Sequence, residues 1–342
     1  MSLNFNSLND IAKAMTVKGK GILAADESSP TCKKRFDSIG LESTEENRNI
    51  YRDLLFTTKG MEQFISGVIL FDETIRQSTI KNNTLFTDYL SGLGVIPGIK
   101  VDAGAKNLSG SSNEKITEGL DGLNDRLEEY YNLGARFAKW RAVITIDPNL
   151  PSDQCVKSNA HALARYSALC QKNNIVPIVE PEILMDGTHT IEQSFSVSER
   201  VLHSVFNELH LQNVSLEGIV LKPNMVLSGY ECSDQAGVEE VARLTVDVFR
   251  RCVPAAVPGI AFLSGGQSDE LATAHLNEMN KLFAEKCPWN LTYSYGRALQ
   301  APALKAWNGN HENISIAQDA FYKRAKLNSL ATKGEYDRTM EK

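Results

Sequence analysis

Eight short runs of apolar and β-forming residues recur along the 342-residue chain, and most segments between them show helical spacing. Strands that alternate with helices are typical of parallel βαβ units. Eight such units predict an α/β protein with a single-domain (β/α)8 TIM barrel, although an open doubly wound sheet could give a similar pattern. The predicted strands cover residues 21–26, 65–71, 96–102, 137–144, 175–183, 216–223, 259–266 and 290–297.

The segments between the predicted strands carry signals for helix starts. Ser43 with Glu46, and Ser196 with Glu199, match the Ser/Thr-x-x-Glu capping box. Each pair precedes apolar residues that recur on one helix face. We therefore expect helix starts at both pairs.

Composition does not shift along the chain in a way that marks a second domain. We expect one domain over residues 1–342, with a short polar tail that begins at about residue 334 and frays. The Gly- and Ser-rich stretch at residues 103–115 lies between two strand units, so we predict a long loop there.

The charge balance bears on the partners of the chain. It has 36 basic and 42 acidic residues, a net charge of −6, which argues against nucleic acid or an anionic membrane as the main partner. An anionic substrate is still compatible, because a pocket can be locally basic on an acidic protein. No 18-residue apolar run predicts a transmembrane helix, and the N-terminus does not resemble a secretory signal.

The cysteines and histidines are scattered. None of the six cysteines forms a C-x-x-C pair, so free thiols in a reducing cytosol, and hence a cytoplasmic location, are the simplest interpretation. The six histidines include no H-E-x-x-H motif. His203 and His210 share a helix face, but an ordinary surface or packing role is expected there. The sequence therefore predicts no metal site.

Nearly every predicted strand ends on a charged residue or on one suited to phosphate binding. Barrel enzymes place their chemistry at the carboxyl ends of the strands. One charge at a strand end usually only borders solvent, but seven strands with the same property favour a converging site. The residues are Asp26, Lys100, Asp102, Lys139, Arg141, Glu180, Glu182, Lys222, Ser264, Gly265, Gly266 and Arg297.

Lys222 ends the apolar run GIVLKPNM, although an ammonium rarely leaves water without a balancing charge. It could be half of a structural ion pair. Burial and the nearby cations Lys139 and Arg141 would instead favour the neutral amine, which attacks ketones. Glu180 and Glu182 could be counter-ions of these cations, or proton carriers if they reach the substrate.

Two segments are candidate phosphate sites. In FLSGGQSDE the adjacent glycines let backbone N–H groups approach an oxyanion, and Ser268 is predicted to cap the next helix. Loops after strands seven and eight often bind phosphate in barrels, and Arg297 can supply the charge. A second cluster follows the first strand, although a basic helix face explains it almost as well. It consists of Ser28, Thr31, Lys34 and Arg35.

With these residues assembled, the chain strongly resembles a class I (Schiff-base) fructose-bisphosphate aldolase. The matching stretches include GKGILAADES, GIKVD, FAKWRAV, VPIVEPEIL, LKPNMV, FLSGGQS and SYGRALQAPALKAW, in family order from about residue 10 to residue 335. The resemblance implies a lyase of glycolysis and gluconeogenesis with a (β/α)8 barrel. It also implies a phosphorylated sugar substrate, a homotetramer and no cofactor, since an imine takes the place of a metal.

The resemblance also implies roles for individual residues. Lys222 would form the imine, with Glu180 as the main proton carrier and Glu182 assisting. Asp26 and Lys139 would assist carbinolamine formation and C–C cleavage. The substrate's far phosphate would face Ser28, Arg35, Lys100 and Arg141. The phosphate nearest the ketone would be held by Ser264, Gly265, Gly266, Ser294, Gly296 and Arg297.

Two alternatives remain at this stage: a Schiff-base aldolase of another sugar phosphate, and a non-catalytic binding role on the same scaffold. The two candidate phosphate sites favour a bisphosphate, and the presence of Lys222 and Glu180 favours an enzyme. One departure concerns a tyrosine that ends a longer tail in the family and helps proton exchange. Here Tyr336 is the only nearby candidate, and it precedes the position which that role would need.

Overall fold

The computed structural model describes residues 5–342 and contains a closed barrel of eight parallel strands. The strands of the chain are β1 (Gly21–Ala24), β2 (Ile65–Leu70), β3 (Ile96–Lys100), β4 (Ala105–Asn107), β5 (Lys115–Thr117), β6 (Phe137–Ile144), β7 (Val176–Ile183), β8 (Val220–Leu221), β9 (Gly259–Phe262) and β10 (Asn290–Tyr295). The barrel order is β1-β10-β9-β8-β7-β6-β3-β2, and β2 pairs with β1 to close it. The predicted (β/α)8 barrel is confirmed.

All eight predicted strands are present, but the one before Lys222 is shorter than expected. Only Val220 and Leu221 form β8, and Leu216–Gly218 is a turn of 3-10 helix. The Lys222 N–H still donates to the Val179 carbonyl at 2.8 Å, which continues the pairing with β7. This backbone bond holds Lys222 at the carboxyl end of the barrel.

The prediction of a plain loop at residues 103–115 is wrong. β4 and β5 pair in antiparallel register and form a small hairpin outside the barrel. Each strand has three residues, which is too few for an alternating pattern to stand out in the sequence. The hairpin leads directly out of β3, so it borders the carboxyl end of the barrel.

The helices surround the barrel. They are α1 (Leu8–Met15), α2 (Ser29–Asp37), α3 (Glu45–Phe56), α4 (Asp72–Ile75), α5 (Phe86–Gly92), α6 (Leu123–Asn132), α7 (Asp153–Lys172), α8 (Ile191–Leu211), α9 (Val238–Cys252), α10 (Asp269–Phe283), α11 (Arg297–Trp307) and α12 (Ile314–Ala331). One large apolar cluster joins the helices to the outer face of the barrel. Across residues 5–342, no helix is both long enough and apolar enough to cross a bilayer.

A second apolar cluster fills the barrel interior, since alternate strand residues point inward. Phe137 of β6 is its largest member, and α1 adds Ile11, Ala12 and Met15. A Cβ on Gly98 would lie 2.2 Å from the Phe137 ring, so β3 needs a glycine there. The interior is therefore packed, which leaves the carboxyl end of the strands as the place for a site.

Both predicted capping boxes are displaced. α3 is capped by Thr44 rather than Ser43, and α8 is capped by Thr190 in a capping box with Gln193. Ser196 lies inside α8, where its hydroxyl donates to a backbone carbonyl. More than one Ser or Thr lies near each of these helix starts, and only the course of the chain selects the one that caps the helix. The predicted cap at Ser268 is confirmed.

The expectation that the tail frays is wrong. Residues Arg338–Glu341 form a 3-10 turn, and Glu341 accepts two hydrogen bonds of 2.6 Å from Arg324 of α12. Tyr336 is 6% exposed, and its hydroxyl donates to Glu341 at 2.8 Å. The buried Arg324 needs a counter-ion, and the tail supplies one.

Candidate active site

The carboxyl ends of the barrel strands surround a cavity of about 760 Å³. This is the end of a parallel barrel where catalytic groups collect. Every residue that the sequence predicted for the site lines this cavity. These residues are Asp26, Ser28, Arg35, Lys100, Lys139, Arg141, Glu180, Glu182, Lys222, Ser264, Gly265, Gly266, Ser294, Gly296 and Arg297.

Lys222 is buried beside a carboxylate. Its side chain is 4% exposed, and Nζ lies 3.2 Å from Oε1 of Glu180 on β7. The other oxygen of Glu180 lies 3.3 Å from Nζ of Lys139 on β6. The carboxylate of Glu180 is thus in direct contact with Lys222, in addition to the predicted cations nearby. It can accept the proton that Lys222 must lose before it acts as a nucleophile.

Lys139 also contacts Asp26, at 3.1 Å from Oδ2. Burial by itself favours the neutral acid of Asp26, but attraction to Lys139 and Lys222 outweighs burial and lowers the pKa to about 2. Burial likewise opposes the charged form of Lys139, yet Asp26 and Glu180 outweigh it and raise the pKa of this lysine. Lys139 is therefore an ammonium at neutral pH, which is unsuited to nucleophilic attack.

The cations on the β3–β6 side of the cavity are already paired. Lys100 Nζ lies 2.7 Å from Asp102 Oδ1 and 2.8 Å from the Asp102 carbonyl. Arg141 forms an ion pair with Glu182 through Nε. The cations on this side are thus positioned by carboxylates, and an anion would share them with those partners.

The loop after β9 leaves backbone donors free. Gly265 and Gly266 have φ of 56° and 89°, a region that residues with a Cβ rarely adopt. Among residues 5–342, neither N–H has an acceptor. Ser294 is 1% exposed, and its Oγ has no partner in the described part of the chain. Free N–H groups beside a buried hydroxyl are typical of an anion site.

Two cationic side chains border this candidate anion site, which we call the phosphate cradle. Arg297 begins α11, and a Cβ on Gly266 would lie 2.9 Å from its Nη2. Arg35, predicted for the far phosphate, lies beside Gly296, where a Cβ would be 3.7 Å from Nη2. Arg35 is held there by Glu27 and by Gln300 of α11.

Two residues that were not predicted for the site, Glu27 and Tyr230, also line the cavity. Glu27 pairs with Arg35 and with the buried Arg52, at 2.6 Å from the latter. In the sequence, its place next to Asp26 in AADES is the signal that marks it. Tyr230 lies in the loop after β8, where no local pattern marks it.

Some predicted features lie outside the cavity. Tyr336, the candidate for the tyrosine of the family tail, does not line it. The sequence predicted no metal site, but Glu199 and His203 of α8 and Cys252 of α9 bring possible ligand atoms within 4.8 Å of one another. None of the three lines the cavity. The spacing Glu199/His203 is helical, and only packing against α9 adds Cys252.

Comparisons with known proteins identify the family of this chain. The family model "Glycolytic: Fructose-bisphosphate aldolase class-I" matches residues 7–342. A "Probable fructose-bisphosphate aldolase class 1" of Xanthomonas campestris pv. campestris is 55% identical over 335 residues, covering 98% of this chain and 99% of that protein. "Fructose-bisphosphate aldolase 4, cytosolic" of Arabidopsis thaliana is 55% identical over 93% of this chain and 80% of that protein.

A solved structure supports the same assignment. The fructose-bisphosphate aldolase of Plasmodium falciparum, crystallised with TRAP and a small-molecule inhibitor, superposes with a TM-score of 0.95. It is 50% identical, and the match covers 98% of both chains. By the family model, the relatives and the fold, this chain belongs to the class I fructose-bisphosphate aldolase family.

Proposed function

We propose that this enzyme, a glycolytic lyase, cleaves fructose 1,6-bisphosphate reversibly through an imine on Lys222. The products are dihydroxyacetone phosphate and glyceraldehyde 3-phosphate. The observation that carries the proposal is the buried row of alternating charge formed by Lys222, Glu180, Lys139 and Asp26. This row combines a lysine nucleophile with groups that can move protons.

Imine formation starts when the neutral amine of Lys222 attacks the ketone carbon of the open-chain sugar. Glu180 takes one proton from the amine nitrogen and passes it to the former ketone oxygen. A second proton from solvent joins it there, so water leaves the carbinolamine and a protonated imine remains. Asp26 and Lys139 assist this step: Lys139 stays charged and stabilises the developing oxyanion. Glu182 assists Glu180 and orients Arg141.

The protonated imine then acts as an electron sink. A carboxylate of the row accepts the proton of the C4 hydroxyl, the C3–C4 bond breaks, and its electron pair forms an enamine. Glyceraldehyde 3-phosphate leaves as the aldehyde. Proton uptake at the enamine carbon and hydrolysis of the imine release dihydroxyacetone phosphate and restore Lys222. Atoms and charge balance without a redox partner.

The two phosphates would bind at opposite sides of the cavity, whose volume is ordinary for a small-molecule site. The ketone-side phosphate would use the free N–H groups of the loop after β9 and the unpartnered Ser294 hydroxyl, together with Ser264, Gly265, Gly266, Gly296 and Arg297. The far phosphate would use Ser28, Lys100 and Arg141. The side chain of Arg35 extends from α2 toward Gly296, so it can reach toward either group.

Reductive trapping tests the imine directly. Borohydride reduces an imine to a stable amine but leaves a free lysine unchanged. We expect incubation with dihydroxyacetone phosphate and borohydride to inactivate the enzyme and to attach one triose phosphate per chain. Peptide mapping should place the adduct within GIVLKPNM. A label on Lys139, or no label on any lysine, would overturn the assignment.

Metal removal provides an independent test of the electrophile. If a protonated imine polarises the substrate, no metal ion is needed for that role. We expect the rate of cleavage to be unchanged after exhaustive treatment with EDTA and removal of the chelate. Inactivation that added Zn²⁺ reverses would contradict the proposed chemistry.

Replacing Arg297 with Ala should weaken binding of dihydroxyacetone phosphate roughly 10- to 100-fold, the effect of removing one hydrogen bond to a charged group. The inhibition constant of dihydroxyacetone phosphate against cleavage measures this. Lys305→Ala, also on α11 but outside the main cavity, is the matched control and should have little effect. Equal inhibition constants for wild type and Arg297→Ala would remove Arg297 from the phosphate site.

Two further features implied by the family belong to this proposal. A cytoplasmic location agrees with the cytosolic relative from Arabidopsis thaliana. Assembly as a homotetramer, and operation without any cofactor, likewise stay predictions.

A further inference from the structure

The loop after β8 is attached to the loop after β7 by its backbone. The N–H groups of Gly229, Tyr230 and Glu231 donate to the carbonyls of His189, Met185 and Gly187, at 2.8, 2.8 and 2.9 Å. A Cβ on Gly229 would lie 2.2 Å from the Gly187 carbonyl oxygen, so the two backbones are in close contact. These bonds set the position from which the Tyr230 side chain extends.

From that position Tyr230 reaches the phosphate cradle after β9. Its hydroxyl donates to the Gly265 carbonyl. A Cβ on Gly266 would lie 2.4 Å from the same hydroxyl, so the phenol contacts both glycines of the turn. Tyr230 as a whole is 47% exposed, and it lines the cavity wall. Tyr230 therefore links the loops that follow β7, β8 and β9.

The hydrogen bond to Gly265 determines which way the next N–H points. In a trans peptide the carbonyl of one residue and the N–H of the next point in opposite directions. Because Tyr230 binds the Gly265 carbonyl, the Gly266 N–H is turned away from Tyr230. A Gly-Gly peptide can change its orientation at little steric cost, so its direction needs an outside restraint.

The Ser264 end of the turn is held by two side chains, one in the loop before α10 and one on α10. The Gln267 side chain donates to the Ser264 carbonyl at 3.0 Å, and His275 lies 2.6 Å from the Gln267 oxygen. These groups are buried. They hold Ser264, but they make no bond to the Gly265–Gly266 peptide. Among residues 5–342, only Tyr230 contributes a side-chain hydrogen bond to that peptide.

We propose that Tyr230 is a positioning residue for the ketone-side phosphate. It holds the Gly265–Gly266 peptide in the orientation that presents the Gly266 N–H to the phosphate oxygens, and it does not touch the reacting carbons. This inference rests on the proposed function, which assigns that phosphate to the cradle.

The test compares the two halves of the substrate in the condensation direction. Tyr230→Phe keeps the ring and removes only the hydroxyl. We expect the KM for dihydroxyacetone phosphate to rise roughly five- to tenfold, as for a lost hydrogen bond. The KM for glyceraldehyde 3-phosphate should not change, and kcat should stay within about twofold. Tyr322→Phe is the matched control, because within residues 5–342 the Tyr322 hydroxyl makes no hydrogen bond and lies outside this cavity.

Each other outcome has a distinct meaning. If Arg297→Ala weakens the binding of dihydroxyacetone phosphate but Tyr230→Phe does not, the role of Tyr230 is overturned and the proposed phosphate site stands. An equal rise in both KM values, or a lower Tm for Tyr230→Phe than for Tyr322→Phe, would show a merely structural role. If Arg297→Ala and Tyr230→Phe both weaken the binding of glyceraldehyde 3-phosphate instead, the assignment of the two phosphates in the proposed function fails.

Discussion

Replacing Lys222 with Met is expected to abolish cleavage of fructose 1,6-bisphosphate. The loss should be on the order of 10⁶-fold, as when a covalent nucleophile is removed from a hydrolase. Met fills a similar volume in a pocket where the lysine side chain is 4% exposed, so the barrel should remain folded. Without the amine, no imine forms, and borohydride trapping with dihydroxyacetone phosphate should attach no label.

Lys139→Met is the matched control for this variant. Lys139 lies in the same cavity and contacts the same Glu180, but its neighbours Asp26 and Glu180 raise its pKa. We expect cleavage to slow by roughly 10²- to 10⁴-fold, the range for loss of an acid–base or electrostatic group. Trapping should still label Lys222, although slowly. Full labelling of Lys222→Met would show that another lysine, most simply Lys139, is the nucleophile.

The second large effect is expected for Glu180→Gln. This change keeps the shape of the side chain but removes the proton carrier between Lys222 and Lys139. It also leaves two buried lysine side chains with one carboxylate fewer, so the N–H₂ of the new amide must face one of the two lysines. We expect kcat to fall by roughly 10²- to 10⁴-fold. Because proton transfer is needed for imine formation as well as for cleavage, trapping should slow too.

Two measurements separate this effect from damage to the pocket. A hexitol bisphosphate has both phosphates but no ketone, so its Kd reports the pocket without the chemistry. We expect that Kd to be nearly the same in wild type and Glu180→Gln. Glu182→Gln is the matched control on the same strand, and its loss of kcat should be smaller, since Glu182 pairs with Arg141 and only assists. A kcat for Glu180→Gln within about threefold of wild type would exclude Glu180 as the main proton carrier.

The strand-end residues show how much of the site the sequence contained. Lys139 and Glu180 could be identified because they end or interrupt apolar runs, and such interruptions are local properties of the chain. Their mutual contact is not local. Asp26 and Lys139 are separated by 113 residues and meet only because the barrel closes with β1 next to β10 and β2. The contact between Asp26 and Lys139 therefore emerged from the closed sheet.

Tyr230 and the hairpin of β4 and β5 could not be identified from the sequence. A three-residue strand leaves too few positions for alternation to be recognised, and a tyrosine in an irregular loop has no periodic neighbours. The docked tail is similar, because its order depends on Arg324 of α12 rather than on its own polar residues. In each case the deciding partner lies on another element.

By itself, the sequence determined the alternation of strands and helices, which indicates parallel βαβ units, and the charged residues that its strand ends present. These follow from hydrophobic periodicity, which acts over neighbouring residues. Only the tertiary structure decided which charges pair, which glycine N–H groups stay free, and that Tyr230 contacts the cradle. The physical reason is that ion pairs and hydrogen bonds act over a few ångströms, and the distances between distant segments are set only when the barrel closes around its packed interior.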